Sequence, residues 1–262
     1  MIFIAANNKY AAPAVEKALD ILELMTERNY NLTVTEISNE LAISVNSVFR
    51  IMKELEIKQY VVKDLADSSY YLTAKLYFLG NKIKNRVSII KESEHTMSNL
   101  LRETKETILL TKLNSQLETL VLEQFESIHS IKFLSLVGGT YDSYSSAMGK
   151  CLLAYLPQEE LDNYLMNTNL KPRTENTIID KAILREELLG IKENGISIDH
   201  EESVKGLTCI ACPVFSSNKV VECVIGVSGI SFRMTPEVIK KYSIILKKET
   251  AKLSNRLCCS NE

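Results

Sequence analysis

Ser44, Asn46, Ser47, Arg50 and Lys53 form a set whose chemistry suits a nucleic acid. Arginine can pair bidentately with guanine and asparagine with adenine, while serine and lysine reach phosphate. At about 100° per residue, Asn46, Arg50 and Lys53 fall opposite Val48, Ile51, Met52 and Leu55, which recur at i, i+3, i+4 and i+7. A helix so patterned buries one face and offers the other, and Ser44 is placed to cap it. Taken alone, such a face is more often simply solvated.

A second set surrounds a helix start at Ser145-Ser146-Ala147-Met148-Gly149-Lys150. With Ser146 as N-cap, the amides of Ala147, Met148 and Gly149 lie near the positive end of the helix, where a carboxylate is stabilised. A plain capped helix accounts for the same residues. Gly149-Lys150 is not a P-loop, because the preceding glycine at the required spacing is missing. Asp199-His200-Glu201-Glu202 invites acid–base or metal chemistry, yet paired carboxylates at a strand end are more often structural, and His95 and His129 are distant in sequence. In Cys209-Ile-Ala-Cys212, a β-prone run, residues three apart face opposite sides of a sheet and no second CxxC follows, so no metal is expected. No cofactor motif is present either.

The elements that must position these residues follow from periodicity. Val15, Ala18, Leu19, Leu22 and Met25 repeat at helical spacing behind Pro13. Thr33 and Glu36 have capping-box spacing, Ile37 and Leu41 share a face, and Ala42-Ile43 makes the turn into the second helix. Two β-prone runs, Tyr60-Val61-Val62 and Tyr70-Tyr71-Leu72, flank a polar stretch at 64–69, predicting a hairpin and hence a winged helix-turn-helix. Leu76, Leu79, Ile83, Val87 and Ile90 predict a linker helix within 73–101, broken near Gly80. Strands are expected at 107–113, 119–125 and 132–137, helices at 147–156, 159–166 and 181–193, and strands again at 195–199, 207–215 and 220–230. A closing helix at 235–257 has Thr235 as N-cap and Pro236 at its first position. The fold class is α+β. The expected division is a winged helix-turn-helix at 1–80, a linker helix at 81–101 and a second domain at 102–262.

With 262 residues and 45% hydrophobic content, the chain can bury a sizeable core in one or two domains. The apolar start at Met1-Ile-Phe-Ile-Ala-Ala6 is too short for a signal-peptide core and no run approaches transmembrane length, so a cytoplasmic protein without membrane contact is expected. Six cysteines in a chain this long, two adjacent at Cys258-Cys259, do not suggest a disulfide framework. Net charge is −2, and residues 1–80 hold eight Lys or Arg against ten Asp or Glu. Charge by itself therefore argues against a nucleic-acid partner.

Three segments, Val15-Glu-Lys-Ala-Leu-Asp-Ile-Leu-Glu-Leu24, Thr35-Glu-Ile-Ser-Asn-Glu-Leu-Ala42 and Val48-Phe-Arg-Ile-Met-Lys-Glu-Leu55, together resemble the IclR family of bacterial transcriptional regulators. The second half agrees, in Ser146-Ala-Met-Gly-Lys-Cys-Leu-Leu-Ala-Tyr-Leu-Pro157, Gly195-Ile-Ser-Ile-Asp-His-Glu-Glu202, Gly206-Leu-Thr-Cys-Ile-Ala-Cys-Pro-Val214 and Val227-Ser-Gly229. The resemblance implies a winged-helix DNA-binding domain joined by a helix to a GAF-like effector-binding domain with a six-stranded antiparallel sheet. It implies a homodimer or homotetramer that binds double-stranded operator DNA and responds to a small molecule, commonly an organic or aromatic acid. Arg50 stands where the family commonly has arginine, whereas Val45 replaces a frequent Lys or Arg and the wing carries no base. The positions matching the family's ligand lining are Ala147, Met148, Asp199, Cys209, Gly226 and Ser228; Gly226 stands where some members have serine, and Tyr144 where many have histidine. Two other readings compete. The second domain could be an enzyme acting on a small acid through Asp199 or Cys209, or the helix-turn-helix could serve only protein contact.

Overall fold

The computed structural model describes residues 12–28, 30–84, 88–216 and 220–259. It divides into two compact units, Met1–Arg86 and Val87–Glu262. The apolar segment at Met1 to Ala6 lies outside the described residues.

In the first unit, α1 (Pro13–Glu27), α2 (Val34–Leu41) and α3 (Val45–Ile57) precede a hairpin of β1 (Val61–Lys63) and β2 (Tyr70–Leu72), then α4 (Lys75–Lys84). The capping box forms as its spacing predicts: the Thr33 amide donates to Glu36 Oε2 at 2.7 Å and the Glu36 amide to Thr33 Oγ1 at 3.3 Å. Ala42 then takes a left-handed conformation (φ 53°) that ends α2, and Ser44 Oγ accepts from the Ser47 amide to start α3. Together these three local devices fix the angle between the helices. Ile37, Val48, Met52 and Leu55 close the core with Leu32, Val61 and Tyr70. The α1 stripe differs from expectation. Ile21, Leu24 and Met25 face inward, while Val15 and Leu19 are exposed. The helix carries apolar residues on more than one face, so periodicity did not choose between them; packing against α2 and β2 did. The wing closes where its turn residues stand, with the Asp64 amide donating to Ser69 O and the Asp64 carboxylate accepting from the Ala66 amide.

The expected break near Gly80 does not occur, since α4 runs through it to Lys84. An isolated glycine lowers helix propensity by about 1 kcal/mol, too little to end a helix whose neighbours favour it. The next helix, α5, is Ser88–Thr104; Val87 of the predicted stripe lies outside the described residues.

The second unit is built on six strands in the order β5-β4-β3-β8-β7-β6, every neighbouring pair antiparallel. They are β3 (Thr107–Leu113), β4 (Thr119–Phe125), β5 (Thr140–Tyr141), β6 (Ser197–His200), β7 (Leu207–Phe215) and β8 (Val221–Ile230). Between β5 and β6 come α6 (Ala147–Ala154), α7 (Gln158–Asn167) and α8 (Lys181–Asn194), and α9 (Pro236–Cys259) closes the chain. The sheet is buried on both faces, which is why β7 reads as a continuous apolar run. Ile108, Leu110, Ile210, Cys212, Ile225 and Val227 pack under α5 and α9. The alternate residues Leu109, Leu207, Cys209, Ala211 and Val224 face α6. Cys209 and Cys212 thus lie on opposite faces, as their spacing in a strand requires.

The third strand is not at 132–137. It is the two-residue β5, and the preceding segment satisfies its backbone by other means: the Ser135 amide donates to Gln124 Oε1, and the Leu136 amide to Tyr141 Oη. Leu134, Leu136 and Val137 are left exposed, so the segment has the composition of a strand but no buried face to hold it in register. Among the described residues, no helix is long and apolar enough to cross a membrane.

Two candidate recognition sites

The first site is the open face of α3. Val48, Met52 and Leu55 are buried, and Ser44, Asn46 and Arg50 stand exposed, with Ser47 and Lys53 half-buried. Three cations of this unit are committed to neighbouring acids. Arg28 pairs with Glu40, Lys53 with Glu56 at 2.7 Å and Lys58 with Glu54 at 3.3 Å. The Glu56 carboxylate raises the pKa of Lys53 and holds its ammonium along the helix. Arg50 has no ion-pair partner among the described residues, and so is the α3 cation free to meet one. Sequence reasoning missed Phe49. Its type suggests core, yet it is 48% exposed beside Val45 at 49%, one helical turn earlier on the same face. The face is therefore part polar and part apolar, with one free positive charge.

The second site is a cavity of about 430 Å³ between the sheet and the start of α6. Its floor is set by strand parity: Leu109 and Thr111 of β3, Thr119 and Val121 of β4, and Leu207 and Cys209 of β7 share one face. The α6 start supplies Ser145, Ser146 and Met148. Ser146 Oγ accepts from the Gly149 amide at 3.1 Å, and the chain entering the helix crosses directly over Gly149. A Cβ at Gly149 would sit 2.3 Å from Ser143 O, so only glycine lets that crossing form.

Of the six cavity residues nominated from sequence, Met148, Cys209 and Ser228 line it. Ala147, Asp199 and Gly226 do not. Ala147 is buried in the core between α6 and the sheet. Gly226 makes room for Met148, whose Sδ would lie 2.5 Å from an added Cβ. Asp199 is fully buried and shapes the loop after β6, accepting from the Glu202 amide at 2.6 Å and from Ser203 Oγ at 2.7 Å. Burial raises its pKa despite those donors. Through that loop Asp199 places Ser203 and Val204 on the cavity wall.

The neighbouring charges also have structural tasks. Lys150 is fully buried and reaches Glu202 at 2.6 Å and Glu187 at 3.1 Å, fastening α6 to α8 and to the loop after β6. Glu201 accepts from the Gly206 amide, and His200 is exposed. Cys209 donates to Ser228 Oγ at 3.3 Å, and burial pushes its thiol pKa far up, so it stays protonated and is a poor nucleophile. Among the described residues, no group of three His, Cys, Asp or Glu is placed to hold a metal.

What sequence did not nominate is the charged pair at the cavity wall, Asp142 and Arg173. Arg173 comes from the segment between α7 and α8, where no periodicity or motif marks it. Hydroxyls dominate the rest of the lining: Ser135, Thr140, Tyr141 and Ser145 add to the serines and threonines of the strands. Such a surface can hydrogen-bond a small polar ligand in many orientations, and one cation can fix its charge.

Comparison with known proteins matches both parts of the chain to domains of one family. Residues 14–65 match the family profile for the IclR helix-turn-helix domain, and residues 82–255 the profile for the bacterial transcriptional regulator IclR C-terminal domain. The HTH-type transcriptional regulator KdgR of Escherichia coli is 30% identical over 244 residues, covering 93% of this chain and 92% of its own. The crystal structure of the Thermotoga maritima IclR superposes with a TM-score of 0.79 at 31% identity, covering 93% of this chain and 98% of the other. An IclR homolog from Microbacterium hydrocarbonoxydans, solved with 4-hydroxybenzoate, has the same fold (TM-score 0.80, 19% identity, 93% and 98% covered).

Proposed function

The chain belongs to the IclR family, as a DNA-binding transcriptional regulator modulated by a small-molecule effector, and we propose that this effector is a small hydroxylated organic acid held in the cavity under α6. The observation that carries this reading is the lining: a volume of about 430 Å³, walled by hydroxyl groups, with a single arginine among its described residues. The volume lies within the usual range for small-ligand sites. An aromatic acid occupies the Microbacterium homolog, but among the described residues the aromatic ones lining the cavity here are Phe133 and Tyr141, and hydroxyls outnumber them. Binding rather than turnover suits the chemistry. The Cys209 thiol is protonated, and both oxygens of Asp199 already accept hydrogen bonds.

On the DNA side, Arg50 and Asn46 read base edges in the major groove, Ser44 and Ser47 meet phosphate, and Val45 and Phe49 lie against thymine methyl groups. Lys53 serves phosphate only if it leaves Glu56. With one free cation per recognition helix, affinity comes from pairing: a homodimer, alone or within a tetramer, sets two such helices in successive major grooves. The effector biases which arrangement of the pair is populated. The regulator works on chromosomal DNA in the cytoplasm.

The test is a mobility-shift titration on DNA upstream of its own and neighbouring genes, at two salt concentrations, with and without a panel of hydroxylated and aromatic carboxylic acids. A sequence-specific shift that weakens with salt and responds to at least one hydroxylated acid is expected. No specific shift under any condition overturns the DNA reading. A response to aromatic acids alone overturns the ligand class.

A further inference from the structure

Two arginine–carboxylate pairs in the second unit have different geometries. Arg233 meets Glu106 as a full fork, Nε to Oε1 at 2.7 Å and Nη2 to Oε2 at 2.8 Å, with the Glu106 side chain 3% exposed. That pair is a structural clamp. Arg173 instead directs Nε, at 2.7 Å, and Nη2 to the same oxygen, Oδ2 of Asp142, and its side chain is half-exposed. One oxygen serving two donors is short of the two-oxygen match that gives an arginine–carboxylate pair its strength.

The backbone beneath Arg173 is nevertheless firmly fixed. The amides of Arg173 and Thr174 both donate to Thr177 Oγ1 at 2.9 Å, and Thr177 Oγ1 donates to Glu202 O at 2.7 Å. Thr174 Oγ1 reaches Glu201 O at 2.6 Å. Tyr144 Oη donates to Lys171 O, tying the same segment to the entry of α6. A pinned backbone thus carries a side chain whose present partner is replaceable. Arg173 is also the sole cation among the described residues of the cavity lining, where Asp142 and Glu118 are the anions.

We infer that Arg173 is the anchor for the effector's carboxylate and that Asp142 is its built-in competitor, so that binding exchanges one carboxylate for another at the same guanidinium. This rests on the proposed reading that the cavity takes a small organic acid. An acid presenting both oxygens completes the fork that Asp142 leaves incomplete, while its hydroxyls meet the serine and threonine walls. A neutral analogue cannot displace Asp142 and gains only the wall contacts. The competition lowers apparent affinity by the fraction of time that Arg173 is unpaired, which sets the ligand concentration at which the regulator responds. Release of Asp142 also removes one of the ties between the chain entering α6 and the segment between α7 and α8, with the Tyr144–Lys171 hydrogen bonds remaining.

The test uses the full chain as wild type, Arg173→Ala, Asp142→Asn and the double variant, titrated calorimetrically with sodium lactate, malate, gluconate and 4-hydroxybenzoate and with the corresponding amides. For the acid that binds, Arg173→Ala should weaken affinity by at least about tenfold, the loss of a charge-assisted pair. Asp142→Asn should tighten it, and that gain should vanish when Arg173 is also replaced, which separates release of the arginine from relief of simple repulsion. Amide binding should be unchanged by Arg173→Ala. Arg173→Lys should recover only part of the loss, because an ammonium cannot form the fork. Wild-type affinity for the acid in Arg173→Ala, or a gain from Asp142→Asn that persists in the double variant, overturns the anchor while leaving the acid reading intact. If neither wild type nor Asp142→Asn binds any of the acids, the acid reading falls and the anchor with it.

Discussion

The face of α3 and the cavity under α6 both offer polar groups to a partner, but they are assembled differently. Every nominated α3 residue lies within a ten-residue span on one helix, and caps on either side of the turn orient it. The cavity draws on five strands, the start of α6, the loop after β6 and the segment before α8. Damage to one should therefore be local and to the other distributed. A single surface substitution can silence the helix face, whereas the cavity is most vulnerable where the chain crosses itself.

The largest effect is expected at such a crossing. Gly149→Ala places a Cβ against the Ser143 backbone, which cannot yield as a flexible side chain would. It should destabilise the second unit by about 3 kcal/mol or more and abolish the response to acids. Calorimetric unfolding and the operator titration check this together. If the variant unfolds like wild type, the crossing is not what holds the cavity wall.

Arg50→Ala is the contrasting case. It should weaken operator binding by about 1–3 kcal/mol, the value of one bidentate base contact, and relax preference at a single base pair. Thermal stability and acid binding should remain as in wild type, because the side chain is exposed and unpaired among the described residues. Equal operator affinity in wild type and variant would remove α3 from base reading.

Asp199→Asn gives the smallest effect and sharpens the contrast through pH. Burial raises the Asp199 pKa above its ordinary 3.8, so the folded chain keeps a proton that the unfolded chain has released. Stability from this group is then lost as pH rises from 3.8 through the folded value, and the buried carboxylate is a net cost above that window. Glu202, raised chiefly by burial as well, titrates in the same direction in both proteins. The melting temperature of Asp199→Asn relative to wild type should therefore climb between acid and neutral pH. A pH-independent difference would show that Asp199 is not buried as a carboxylate.

Legibility in the sequence follows the same division. The capping box at Thr33, the Ser44 and Ser146 caps and the helix from Pro236 use partners within four residues, so their spacing is visible in the chain. The strands at Thr107–Leu113, Thr119–Phe125 and Leu207–Phe215 stand where β-prone runs predict them. The segment at 132–137 is just as β-prone and is not a strand, because register needs a neighbour and a buried face that composition does not specify. Phe49 went unnominated for the opposite reason, being apolar on a face with nothing to cover it among the described residues.

The sequence by itself determined the order and type of most elements, the open face of α3 and the family, while the need for Gly149 and Gly226 to be small came from the packing around them. Tertiary structure alone decided which stripe of α1 faces inward, that Asp199 shapes a loop rather than lining the cavity, and that Arg173 and Asp142 meet at its wall although they are 31 residues apart. Caps and periodicity act through neighbours along the chain. A cavity is the space left when distant segments pack, so its charges are set by where those segments come together.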